Sequence, residues 1–105
     1  MTKEEFNEEL KQHQKWLEYW RVMQNRRVES DLILGYYYDK KSRTWKMYVT
    51  DDRGELFIYD TFETEEKALD GLMVKIRLEA ERTQRLKRIY EKAAREAEQA
   101  KKENS

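Results

Sequence analysis

Between residues 32 and 61 the chain breaks twice, at "DKKSR" and at "DDRG". Neither break is long enough to carry a parallel strand back across a sheet, so the runs they separate must pair as antiparallel neighbours. Those runs are rich in β-branched and aromatic residues, and the breaks carry the Asp, Ser and Gly that tight turns need. The spacing predicts strands over 32–38, 44–50 and 55–61, a three-stranded antiparallel meander. Whatever lies before and after must cover this sheet.

Thr2 followed by Glu5 has the spacing of a capping box, and Glu4, Glu5, Glu8 and Glu9 suit the positive end of a helix dipole. Phe6, Leu10, His13, Leu17, Trp20 and Met23 then recur at three and four, which predicts a helix over 1–26. After the meander, Thr64 caps a second segment with Glu65 and Glu66 in its first turn. No proline interrupts it, so a helix is expected over 64–100, on the order of 50 Å long. Its apolar stripe is firm through Leu69, Leu72, Met73 and Ile76 and thins to Thr83, Leu86, Tyr90, Ala93 and Ala97. The expected fold is α+β, one domain over 1–105, with a three-stranded antiparallel meander between an N-terminal helix and a long C-terminal helix whose basic tail projects.

Strand side chains alternate faces. One set, Tyr36, Tyr38, Trp45, Met47, Val49, Phe57 and Tyr59, is expected to meet Ala68, Leu69, Leu72 and Met73 of the second helix. The other set is Tyr37, Asp39, Lys41, Tyr48, Thr50, Leu56 and Ile58. Only 38% of the chain is apolar against 42% charged, so its Trp, Tyr and Phe residues must supply much of the burial. The N-terminal helix, with Phe6, Leu10, Trp16, Leu17 and Trp20, is therefore expected to lid this second face.

Lys and Arg number 22, as do Asp and Glu, which removes the global field that steers a chain toward nucleic acid or an anionic membrane. The balance is uneven along the chain. Between Lys75 and Arg95 there are eight basic residues and three acids, whereas 32–66 holds five bases and eight acids. With no cysteine, no basic or apolar leader after Met1 and no apolar run of membrane-spanning length, the reading is a soluble cytoplasmic chain without disulfides or a membrane partner.

The stretches "GYYYDKKSRTW" and "FETEEKA" together resemble the ethylene-response-factor type of DNA-binding domain, a pattern also found in mobile-element integrases and homing endonucleases. The likeness covers about 34–73 and rests on Gly35, Asp39, Lys40, Lys41, Trp45, Phe62, Thr64, Glu66 and Ala68. It implies a three-stranded sheet packed on a helix, with the outer sheet face entering a DNA groove. That family's DNA-contacting arginines are missing from this face, where Lys41 alone is positive. "WKMYVTDDRG" with "FETEEKA" is also similar to small bacterial toxin-immunity proteins.

Chemistry-bearing motifs are sparse. His13 is the only histidine and has no cysteine to share a metal; "DDRGE" is too short for a calcium loop and fits a hairpin turn. The three glycines are too far apart for a phosphate cradle, and Ser30, Ser42 and Ser105 lack a histidine–acid arrangement. No catalytic, cofactor or metal residues are assigned. The reading is a non-catalytic, protein-binding inhibitor, monomeric or weakly homodimeric, acting by steric occlusion. Its class is the anti-defence proteins of phages and mobile elements, or toxin immunity, with a host defence effector or toxin as partner. The expected contact residues are Lys40, Lys41, Arg43, Lys46, Asp51, Asp52 and Arg53 at the turns, and Arg82, Arg85, Lys87, Arg88 and Lys92 on the helix. The alternative is a small DNA-binding accessory protein using the same basic turns and helix.

Overall fold

Thr2 caps the first helix reciprocally. Its hydroxyl accepts from the Glu5 N–H at 3.1 Å, and the Glu5 carboxylate accepts from the Thr2 N–H at 3.0 Å. Helix α1 that follows spans Lys3–His13 in a computed structural model, which describes residues 1–103. Asn104 and Ser105, the end of the expected 1–105 domain, lie outside the described residues.

The helix does not reach residue 26. Gln14–Trp16 tightens into a 3-10 turn and Glu18 enters the left-handed region at φ 50. Trp16, Tyr19 and Trp20 favour helix only weakly, so little local preference opposes the change of direction. Turning here buries Leu17 completely and frees Arg21–Met23 to become strand β1.

β1 is a fourth strand, so the sheet is not the three-stranded, purely antiparallel one expected. It pairs in parallel with β2, Ile33–Asp39, in the register Arg21↔Ile33 and Met23↔Gly35. β3, Thr44–Thr50, and β4, Leu56–Phe62, complete the order β1-β2-β3-β4, each antiparallel to its predecessor after β2. The β3–β4 register shifts between Met47 and Tyr48, leaving Tyr59 as the extra residue of a bulge.

The parallel pairing requires a crossover, and residues 24–32 supply it as a strap across the sheet. The Arg26 N–H donates to the Tyr36 carbonyl at 2.9 Å. The Tyr48 hydroxyl donates to the Arg26 carbonyl at 2.6 Å and accepts from the Val28 N–H at 2.9 Å. Thr50 Oγ1 donates to the Ser30 carbonyl and accepts from the Ile33 N–H at 2.7 Å. Ile33, Tyr48 and Thr50 are sealed beneath it. Gly35 makes room, since a β-carbon there would sit 2.6 Å from Tyr48 Cζ.

The expected sandwich is thereby corrected: α1 lies on the same face of the sheet as the second helix, and the strap is what covers part of the other face. Phe6 and Leu17 join one core with Leu34, Tyr36 and Met47 from the sheet and Leu69, Leu72, Met73 and Ile76 from helix α2, Glu65–Glu103. The two helices run parallel side by side, tied by the Met1 ammonium to Asp70 at 2.8 Å and by Glu9 to Arg77. A half-length amphipathic segment buries its stripe best in the groove between α2 and the sheet, where apolar surface already faces it on two sides.

Ala80 is the last fully buried residue of α2, and from Arg85 onward every described residue is exposed. The part beyond Ala80 is roughly 34 Å of helix, of which the first turns still meet Trp16 and Glu18 and the rest projects from the body. Among the described residues no helix is long and apolar enough to cross a membrane.

Candidate functional site

The sequence-predicted contact residues fall into separate regions. At the β2–β3 turn the Asp39 carboxylate accepts from the Lys41 N–H at 3.2 Å and the Ser42 hydroxyl at 2.9 Å, and the Arg43 N–H reaches the Asp39 carbonyl at 2.8 Å. The Ser42 hydrogen bond, the backbone contact and the nearby Lys46 and Lys41 charges hold the Asp39 carboxyl below its ordinary range. Lys40, Lys41 and Arg43 point outward; Lys46 is half-buried, its Nζ 3.9 Å from Asp39.

At the other end of β3, Asp51 organises its turn by accepting from the Arg53 and Glu55 N–H groups, both at 2.9 Å, with Gly54 at φ 82 closing it. Asp51 is thus a turn-former, half-buried, while Asp52 and Arg53 are exposed. β3 is seven residues long, which sets the two turns roughly 23 Å apart. They cannot meet one small epitope together. α2 folds back along β4, placing Gly71 by Phe62 and Lys75 by Tyr59, so its tail leaves at the end of the sheet occupied by the 51–54 turn. Arg82, Arg85, Arg88 and Lys92 share one side of that tail, whereas Lys87 lies across from them, its ammonium 5.3 Å from the Trp16 ring centroid.

Two surfaces absent from the sequence reading are better defined. β4 is an edge strand, and Phe57, Ile58 and Tyr59 on it are 50%, 46% and 59% exposed. Beside Tyr59 on α2, Val74 and Leu78 are 52% and 53% exposed. The edge and the helix enclose a groove of about 270 Å³ lined by Met47, Tyr59, Phe62, Gly71, Val74 and Leu78, with Asp60 and Lys75 at its margin. Gly71 keeps the groove open at its base, because a methyl there would run into the Phe62 ring. Lys75 lies 5.2 Å over the Tyr59 ring and pairs with Glu79 at 3.2 Å, fixing the wall. Phe57 and Tyr59 were legible as strand residues on the helix side; that β4 is the edge strand, which leaves them half exposed, carries no sequence signal.

The second surface is a shallow concavity of about 540 Å³ where the strap leaves the sheet, lined by Asn25, Arg26, Arg27, Tyr37, Tyr38, Lys40 and Trp45. Arg27 is engaged, bound to Glu29 at 2.7 Å and stacked 5.5 Å over Tyr37. Arg26 and Lys40 face solvent.

The titratable groups are explained by packing. The Tyr36 hydroxyl donates to Glu65 at 3.0 Å, and burial first, then that carboxylate, pushes its phenol up. His13 bonds Glu9 at 3.0 Å. Arg77 holds the Glu9 carboxyl down at about 2, chiefly through its hydrogen bonds, with His13 assisting. Among the described residues no group of three or more His, Cys, Asp or Glu side chains is placed to hold a metal ion. Comparison with models of known protein families, with curated proteins and with solved structures finds no match, so the geometry alone carries the functional reading.

Proposed function

We propose that the chain is a non-catalytic protein-binding inhibitor of the anti-defence or toxin-immunity kind, which occludes a working surface of its partner. The supporting observation is the β4 edge with its α2 groove. Tyr59, Val74 and Leu78 stand about half exposed around one groove, beside a seven-residue strand with one unpaired edge on which Phe57 and Ile58 are also half exposed. Soluble monomers rarely leave such an edge bare, and its natural occupant is an extended segment that adds as a further strand and sets alternate apolar side chains into the groove. The partner is therefore a protein presenting a strand, and the long rigid α2 beside it screens neighbouring surface. The turn cations at Lys40, Lys41, Arg43 and Arg53 then act at the rim, where they set association rate and orientation more than affinity.

The test compares capture by the full chain with capture by Tyr59→Glu and Leu78→Glu variants of unchanged melting temperature. A protein enriched by the parent, lost with both variants and inhibited by the parent in its own assay supports the reading. Equal capture by all three overturns it.

A second reading, DNA binding by an accessory protein, draws on the concavity at Arg26 and Lys40, where cations border Tyr38 and Trp45. A band-shift titration supports it if affinity falls with salt at a log–log slope of roughly −2 for two phosphates contacted.

A further inference from the structure

We propose that two copies of this chain associate antiparallel through the projecting half of α2, about a dyad between Glu91 and Lys92. The alternating steps of three and four that pack Leu69, Leu72 and Ile76 of α2 into the body pass through the charged Glu79 and resume at Thr83, Leu86, Tyr90, Ala93, Ala97 and Ala100. The first part of this seam has the sheet and α1 against it. The second is covered only at its base, by Trp16 and Glu18: Leu86 is 40% and Tyr90 70% exposed, and the alanines are exposed.

The seam is complementary to itself in one orientation only. Its bulky residues lie toward the body and its alanines toward the tip. In an antiparallel pair centred on the dyad, Thr83 meets the partner copy's Ala100, Leu86 meets Ala97, and Tyr90 meets Ala93, so every layer joins a larger side chain to an alanine. A parallel pair would stack Tyr90 on itself and leave gaps between alanines. The flanks agree, since in the antiparallel pair Arg85 falls within a turn of Glu96, and Lys87 within a turn of Glu98, on matching sides. In the parallel pair Arg82 would instead face the partner copy's Lys87 with like charge, offsetting the match of Glu96 to Lys101. At the base of the tail, Glu18, Thr83, Leu86, Lys87, Tyr90 and Glu91 line a groove of about 440 Å³ that receives the partner's alanine end. Val74 and Leu78 lie on a different side of α2, so this contact is independent of the surface assigned to the inhibited partner.

Overlap of 83–100 is about 27 Å of helix, which places the interface at the small, weak end and a dissociation constant near roughly 100 μM. Sedimentation equilibrium of the full chain from about 10 to about 500 μM tests this range. The expected result is a monomer–dimer equilibrium weakened more than about tenfold by Ala93→Glu, with melting unchanged because Ala93 lies beyond the body, and unaffected by Tyr59→Glu. Orientation is read by crosslinking, since the chain has no cysteine of its own. Mixing Leu86→Cys chains with Ala97→Cys chains and oxidising should yield the mixed disulfide over like-with-like pairs, whose sites stand roughly 16 Å out of register. A monomeric mass throughout, a dimer indifferent to Ala93→Glu, or predominance of like-with-like crosslinks overturns the proposal.

Discussion

Tyr48→Phe isolates what holds the strap to the sheet. The ring stays, so no cavity opens; only the hydroxyl is removed. That hydroxyl donates to the Arg26 carbonyl at 2.6 Å and accepts from the Val28 N–H at 2.9 Å. Each bond contributes about 1 kcal/mol net, and a Val28 N–H left facing a phenyl edge costs more, so the loss is about 2 kcal/mol. For a chain of this size that lowers the melting temperature by roughly 8 to 16 °C. Because the bonds are local, the Val28 and Arg26 amides should also exchange with solvent about 30-fold faster than in the parent, measured by hydrogen exchange. Gly35→Ala attacks the same ring from below, since its methyl would meet Tyr48 Cζ at 2.6 Å. The double variant should then lose much less than the sum of the singles. A Tyr48→Phe loss below about 0.5 kcal/mol, with Val28 exchange unmoved, would refute the reasoning that this tyrosine pins the crossover.

Two further outcomes follow from named contacts. Glu9, whose carboxyl falls from an ordinary 4.5 to about 2 beside Arg77, binds fewer protons folded than unfolded. Its contribution is present above pH 4.5 and lost as pH falls toward 2, so Glu9→Gln should flatten the stability–pH curve across that window in urea titrations; with Arg77 half exposed the effect is about 1 kcal/mol. An unchanged acid limb would remove Glu9 from the account. At the β2–β3 turn, Arg43 sits at φ 57, and Arg43→Gly should raise stability by about 0.5 to 1 kcal/mol in thermal melts, as left-handed strain is relieved. A fall in melting temperature would show that the arginine side chain itself braces the turn.

The elements that were legible in the sequence are those fixed by local chemistry. The Thr2–Glu5 capping box, the Asp39 and Asp51 turns and the proline-free α2 each depend on neighbours within a few residues, and each stands where its residues place it. What stayed hidden were changes of direction at residues that do not advertise them. Glu18, Leu32 and Arg43 all adopt left-handed backbone, a conformation that Gly or Asn signals and these do not. Glu18 ends the helical run and admits β1; Leu32 turns the strap into β2, held by its N–H to the Asp51 carbonyl and its carbonyl to Arg21. Periodicity alone reads "KWLEYWRVM" as more helix, because its apolar spacing is helical and only tertiary packing overrules it. Part of the groove was hidden for a similar reason: a bulge at Tyr59 brings Asp60 and Phe62 to the α2 side of the sheet without changing composition.

The strap also bears on how this sheet can be used. A bare outer face, as the DNA-binding resemblance implies, would need residues 33–50 open to a groove, yet Ile33, Tyr48 and Thr50 are sealed by backbone that hydrogen-bonds to their side chains and strands. The arginines nearest that face, Arg26 and Arg27, come from the strap and not from the sheet, and Arg27 is held by Glu29 and Tyr37. What remains open is the far edge, where Ile58 and Tyr59 are apolar. Desolvating apolar edge surface favours a protein strand, whereas phosphate contact requires mobile cations at the same place. Tyr59→Lys separates the two demands at one position. It should abolish strand addition while strengthening any phosphate contact there, so a gain in duplex binding with no loss of protein capture would transfer the site to nucleic acid.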